Sequence, residues 1–323
     1  MFILIISLPE FSIMYGVSCA SCHTESQGSG IRNENSWGLQ QKYLSFKSRD
    51  EVFKYKINEI ISYGSDVRIF YLQIADSSYI FPMQTSFYVN YKVNSSVDIV
   101  GEIGLRGIYE AYGTIWNLLF LNSYIKAGLF LPNIGLRYED HTYFTRDYLD
   151  NGFIDRYLLR FETGGLELGY ADETKLISIS VMNSFGNSPL FLSGNQVISS
   201  NNYKIYSIGK YNFLIGIGGI LKDMENHIFG GYFGFGVLEK TSFIFDYLRF
   251  KNFNVFTGTI RYVPVKGFHV VSSYDFSDEK SNMMRFGLGF SFFYNPHIEI
   301  MSRYYYYLNQ KLNLFLISLH FML

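Results

Sequence analysis

The stretch Arg285-Phe286-Gly287-Leu288-Gly289-Phe290-Ser291-Phe292-Phe293-Tyr294 alternates in character. Phe286, Leu288, Phe290 and Phe292 fall on one side, and Arg285, Gly287, Gly289 and Ser291 on the other. Successive side chains of a β-strand point to opposite faces, so this segment reads as a strand with one greasy face and one small or polar face. The pattern recurs in Val97–Ile108, where Val97, Ile99, Gly101, Ile103, Leu105 and Gly107 oppose Asp98, Glu102 and Arg106. It recurs again where Ile298, Ile300, Tyr304 and Tyr306 oppose Glu299, Met301 and Arg303. Such runs are about 10–13 residues long, enough for a tilted strand to cross a bilayer. Turn-forming clusters separate them, among them Lys222-Asp223-Met224-Glu225-Asn226, Lys251-Asn252 and Ser277-Asp278-Glu279.

Composition points the same way. The 323 residues include 28 Tyr, 31 Phe and 29 Gly but only 6 Pro. Mean hydropathy is nonetheless close to neutral, at +0.06. Beyond the first few residues there is no apolar run of about 18 residues, which excludes transmembrane helices. A soluble β-sandwich would leave too many of these aromatics in water. A transmembrane barrel puts them against lipid and keeps polar residues for its lumen. The net charge of −1 gives no footing for nucleic acid.

The predicted fold is therefore all-β: a transmembrane antiparallel β-barrel of about 16 strands, an even number being expected. Strands are predicted to start near Val52, Asp66, Met83, Val97, Asn122, Arg156, Lys175, Asn202, Asn212, Ile228, Lys240, Phe253, Lys266, Asn282, His297 and Lys311. Pro132–Asp155 and Gly186–Asn201 read as the long loops. The chain stops on a final alternating strand in which Phe315, Ile317, Leu319, Phe321 and Leu323 share one face. This is the pattern of a closing outer-membrane strand, with Leu323 where a terminal Phe is usual. At the other end, Phe2–Ile6 is apolar like the heart of a signal peptide, but no basic segment precedes it. The expected division is 1–8 as a signal remnant or apolar lead, 9–50 as a short plug, and 51–323 as the barrel.

The plug carries the chemistry. Cys19-Ala20-Ser21-Cys22-His23 is the Cys-x-x-Cys-His pattern of covalent c-type haem attachment, and it uses both cysteines of the chain. Two thiols at this spacing can bond the vinyl groups of one haem, and the adjacent imidazole can take the iron. A zinc site would want a second ligand pair at defined spacing, and a thioredoxin-type dithiol a βαβ setting. Neither is present in the sequence. Cys19, Cys22 and His23 are thus the expected holders of one covalent haem c.

A haem motif ahead of a barrel resembles the fused monohaem c-type cytochrome–porin family, similar to the outer-membrane cytochromes of iron-oxidising bacteria. The detail lies in Pro9-Glu10-Phe11, Tyr15-Gly16-Val17 and the Cys-x-x-Cys-His that follows. After the haem motif, that branch carries a Pro-x-Leu and a Phe-Gly pair. Gln27-Gly28-Ser29-Gly30-Ile31-Arg32-Asn33 and Trp37-Gly38 look more like the Gly-rich segments of related cytochrome–barrel proteins. A second block, Gly128-Leu129-Phe130-Leu131-Pro132-Asn133-Ile134-Gly135, resembles the strand-to-loop segment of phosphate-selective-type porins and runs on to Glu139, Asp140 and His141. This segment is expected to fold into the lumen, where it packs the barrel, narrows the pore or reaches the haem.

The resemblance implies an outer-membrane protein of a diderm bacterium, with lipid around it and a periplasmic cytochrome and an extracellular metal or mineral as redox partners. Phe11, Tyr15 and Trp37 are candidates to shield the haem edge. Met14 and His141 are candidate sixth ligands, beside any methionine of the barrel wall. Electron conduction is the first expected function, with Fe(II) oxidation among its forms. An anion or solute porin with a structural or sensory haem segment is the alternative. A ligand-binding haem enzyme is the third class, although no catalytic acid–base pair is evident.

Overall fold

The period-2 runs fold into a closed antiparallel barrel, seen in a computed structural model that describes residues 9–26, 31–47, 56–104, 107–136, 143–147, 163–184, 196–222, 227–279 and 283–323. Its sixteen strands are β1 (Ile61–Ile74), β2 (Ser77–Asn94), β3 (Val97–Gly104), β4 (Gly107–Trp116), β5 (Ser123–Leu129), β6 (Thr163–Ala171), β7 (Lys175–Ser184) and β8 (Gln196–Ile208), then β9 (Tyr211–Leu221), β10 (His227–Val237), β11 (Thr241–Phe250), β12 (Asn254–Val265), β13 (Phe268–Ser277), β14 (Met283–Asn295), β15 (Ile298–Tyr307) and β16 (Leu312–Met322). Each strand pairs with its neighbours in sequence, and β16 returns to β1 to close the ring. The Leu323 amide and carbonyl both bond Ser65 at 2.8 Å, so the last residue completes the seam.

The polarity of the wall is inverted relative to a soluble protein. On β14, Phe286 and Leu288 are 51% and 60% exposed, whereas Arg285 on the opposite face is 1% exposed. Ile99 and Ile103 of β3 face outward while Glu102 is buried. Ile215, Ile217, Phe229 and Phe245 extend the outer apolar surface. Asp66, Glu167, Asp275, Arg303 and His320 fill the inner one. Only a lipid surround accommodates an apolar exterior of this extent. Exposed Tyr91, Tyr206, Tyr211 and Tyr262 ring one end, and Tyr79 and Tyr247 lie towards the other. Aromatic girdles of this kind mark the two membrane interfaces. No described helix is long and apolar enough to cross a membrane.

The two ends differ. Two-residue turns join β8 to β9, β12 to β13 and β14 to β15 at the end that holds Leu323, while the long connections 130–162 and 185–195 leave the other. Short turns are periplasmic and long loops extracellular in outer-membrane barrels.

Two expectations change in detail. Val97–Ile108, predicted as one strand, is a hairpin: β3 ends at Gly104, β4 begins at Gly107, and the two glycines pair. The strand predicted at Val52 falls outside the described residues, as does the start predicted at Arg156; β1 begins at Ile61 and β6 at Thr163.

Candidate functional site

The N-terminal segment lies inside the barrel at its short-turn end. Helix α1 (Pro9–Tyr15) opens on Pro9, whose fixed φ suits a first helical residue. The helix rests on the inner wall at β10. A β-carbon at Gly234 or Gly236 would collide with Ile13, so these two glycines make the groove that the helix occupies. Gly16, at φ +69°, turns the chain out of the helix in the left-handed conformation that glycine tolerates. The Asn212 amide donates to the Met14 carbonyl at 3.0 Å.

The Cys-x-x-Cys-His residues follow as a tight turn. The Cys22 and His23 amides both donate to the Cys19 carbonyl at 3.0 Å. The turn is tied to the barrel: the Ser18 hydroxyl donates to the Asp172 carbonyl at 2.6 Å, and the Cys19 amide to the Tyr203 hydroxyl at 3.3 Å. The chain then doubles back. His23 bridges Arg32, and the Asn33 amide donates to the Cys22 carbonyl at 2.9 Å. Asn33 caps helix α2 (Glu34–Leu39) by accepting from the Ser36 amide at 3.1 Å. Its own amide group donates to the Ser21 carbonyl at 3.0 Å, so one residue starts the helix and holds the cysteine turn.

Between these pieces and the wall lies a mostly apolar cavity. Cys19, Cys22 and His23 line one side, with Phe11, Ser12, Tyr15 and Val17 from α1 and the turn after it. Ser36, Leu39, Gln40 and Leu44 come from α2 and its continuation, and Phe293 and Met322 from the barrel wall. Arg32 is the cation among the lining residues. The two cysteines are half-buried and not joined to each other. Burial, and then the neighbouring Cys19, push the Cys22 thiol up to about 12, so it is protonated at neutral pH. Burial, and then the Glu239 carboxylate, likewise push the Tyr15 phenol above its ordinary range.

Three ion pairs hold the segment at separate points of the wall. Glu10 lies 3.6 Å from Arg261 of β12, Glu25 lies 3.0 Å from Lys126 of β5, and Arg32 lies 3.3 Å from Asp66 of β1. All six side chains are almost fully buried. Lys126 also meets Glu167 at 3.1 Å, and His320 of β16 lies 3.1 Å from Asp66 and 3.3 Å from Glu299. On its other side His23 borders a more polar vestibule, shared with Arg32, Lys56, Glu59, Lys92 and Asp98.

A second segment fills the lumen further in. Phe130–Leu136 and Tyr143–Thr145 are buried, the Phe144 amide donates to Asp275 at 3.0 Å, and the Thr145 amide to Thr257 at 3.2 Å. Asn201 donates to the Gly135 carbonyl at 2.9 Å. Arg285, paired with Asp275 at 2.6 Å, stacks 4.7 Å from the Phe144 ring.

The sequence-predicted residues divide accordingly. Cys19, Cys22 and His23 come together on one cavity, and Phe11 and Tyr15 join them. Trp37 is not among the lining residues and packs beside the cavity on Phe293 and Met322. Met14 is fully buried but is not among the lining residues. His141, Glu139 and Asp140 lie outside the described residues. Among the described residues, no group of three or more His, Cys, Asp or Glu is arranged to hold a bare metal ion. Gln40, Leu44, Phe293 and Met322 are cavity residues that sequence reasoning did not single out. Met322 carried a signal, since the alternation of the last strand puts it opposite the lipid-facing Phe321 and Leu323.

No protein-family model matches the chain, and no curated protein matches it. Solved structures do. A loop-deletion mutant of OmpT, an outer membrane protein of Vibrio cholerae, aligns with a TM-score of 0.56 at 12% identity, over 81% of this chain and 99% of that one. A triple mutant of the Rhodopseudomonas blastica porin aligns with a TM-score of 0.59 at 9% identity, over 82% and 100%. The fold is that of the outer-membrane porins. These likenesses concern the porin-type barrel, and the resemblance to cytochrome–porins rests on the N-terminal residues alone.

Proposed function

We propose that this porin-type barrel resides in the outer membrane and carries one covalent haem c in its periplasmic mouth, passing electrons between a periplasmic cytochrome and an extracellular metal or mineral partner. The observation that carries the reading is the convergence of Cys19, Cys22 and His23 on a single apolar cavity. The donor set fits: two thiols for thioether bonds, an imidazole for the iron, and Arg32 as counter-charge for the haem carboxylates. The buried Trp37 indole N–H, 5.5 Å from Arg32 by ring centroid, has no acceptor among the described residues, and an acidic group beside Arg32 would supply one.

A bound haem c supplies one-electron chemistry at its iron. The protein does the rest. Phe11, Leu44 and Phe293 exclude water from the cavity, which raises the influence of every nearby charge. The three ion pairs hold the segment rigidly against the wall. His23 lies between the apolar cavity and the polar vestibule, so a periplasmic partner reaches the site through the vestibule. The buried 130–136 and 143–145 segments obstruct solute passage while leaving electron transfer possible.

The likeness to porins favours a second reading, an anion or solute porin whose haem segment is structural or sensory. The test is an in-gel haem stain and pyridine haemochrome spectrum of the exported, heat-modifiable protein, beside a Cys19→Ser, Cys22→Ser variant, with planar-bilayer conductance of both. Haem that survives denaturation only in the parent, with little conductance in either, supports the conduit. A folded barrel without covalent haem that conducts ions equally in both forms leaves the porin.

A further inference from the structure

We infer that Met322, the penultimate residue of the chain and part of the barrel wall, is the second axial ligand of the haem iron. The inference rests on the haem reading above. The chain has nine methionines. Among the described ones, only Met322 lines the cavity shared by Cys19, Cys22 and His23. Met83 and Met301 belong to a separate wall cluster with Phe70 and Tyr305. Met182 packs with Val100, Tyr112 and Phe130. Met14 is buried and is not among the lining residues.

Three features prepare Met322 for this role. It is 2% exposed, so its sulfur is sheltered from water. Its backbone lies in the closing seam: Met322 is in register with Asp66, its amide donates to the His297 carbonyl, and its carbonyl lies 2.9 Å from His297 Nδ1. Its sulfur accepts from the Gln40 side-chain amide at 3.7 Å, and Gln40 also lines the cavity. A thioether is a neutral, polarisable donor suited to an apolar pocket, and methionine ligation raises a haem's reduction potential. The histidines nearest the cavity are engaged elsewhere: His297 with Met322 and Trp37, and His269 Nε2 with the Leu44 carbonyl at 3.4 Å, behind Phe11 and Phe293. Gln40 is then a positioning residue, aiming the sulfur.

The experiment is optical and EPR spectroscopy with redox titration of the haem-loaded barrel in lipid nanodiscs, comparing the parent with Met322→Leu, Met322→His and Gln40→Leu. Leucine nearly conserves the volume of methionine, and Gln40 lies outside the strands, so the set does not depend on a single variant folding. The parent should be low-spin, with the far-red sulfur-to-iron charge-transfer band of a ferric methionine-ligated haem. Met322→Leu should lose the band, and Met322→His should stay low-spin without it and at a lower potential. Gln40→Leu should keep the band but shift it. A band that persists in Met322→Leu, or a bis-histidine or high-spin spectrum in the parent, overturns Met322 and leaves the haem reading intact. A parent with no covalent haem overturns both.

Discussion

Ile13 of α1 occupies the space that a side chain on Gly234 of β10 would need. The helix and the wall are therefore matched at methyl-sized positions, here and at Gly236. Overpacking of this sort costs about 1–3 kcal/mol in a well-packed interior. Gly234→Val should release the N-terminal segment while the barrel still forms. Limited proteolysis should then cleave near residues 9–26 in the variant and spare the parent, and the heat-modifiable band should be unchanged. Equal protection in both would refute the docking.

Lys126 sits between Glu25 of the plug and Glu167 of the wall. Removing one partner of a buried ion pair typically costs about 3–5 kcal/mol, because the remaining charge is stranded. Lys126→Met leaves two carboxylates facing each other without a cation. It should lower the denaturant midpoint of the folded protein, and a paired Lys126→Met, Glu25→Gln variant should recover part of the loss. A double variant no better than the single would show that Glu25 and Lys126 are not coupled.

Leu288 stands mid-strand on the outer face of β14. An arginine there should cost about 2–4 kcal/mol, as charges near the bilayer midplane do in barrels of this type. Folding titrations into lipid vesicles would read this for Leu288→Arg. A cost near zero would place Leu288 away from lipid and contradict the inverted polarity.

Cys22 offers a pH test in the haem-free protein. Alkylation requires the thiolate, and an ordinary cysteine thiol titrates at about 8.5. With the folded thiol pushed up to about 12, reaction with iodoacetamide at pH 8 should be on the order of 10²–10³ slower than in the unfolded chain. The rate should keep climbing as pH rises towards 12, where the folded thiol finally ionises. A Cys19→Ser background isolates the one thiol, and it removes only the lesser of the two causes of the shift. A rate that levels off near pH 9 would show the thiol to be solvated.

The barrel is legible in the sequence because its signal is periodic and repeated. The alternation of Arg285–Tyr294 and the shared face of Phe315 to Leu323 appear in the structure as the outer and inner surfaces of β14 and β16. The boundary between β3 and β4 is hidden for the same reason. Alternation runs through Gly104-Leu105-Arg106-Gly107 without the Asn, Asp or Pro that marks most turns. The predicted total of sixteen agrees in number but lacks β4, and its strand at Val52 lies outside the described residues. Cys19, Cys22 and His23 are legible as a group because their spacing is local and fixed, and the structure sets all three on one cavity. The far side of the cavity is not, because Phe293 and Met322 reach Cys22 through barrel closure, across about 270–300 residues of chain that no local pattern connects.

The Leu323–Ser65 seam has a consequence for biogenesis. Cys19 and Cys22 precede all sixteen strands, and Met322 of β16 completes the wall that faces them. A pocket divided in this way does not exist until the ribbon of strands has become a ring. Any group held by Cys19 and Cys22 would meet its full pocket only once the ring has closed.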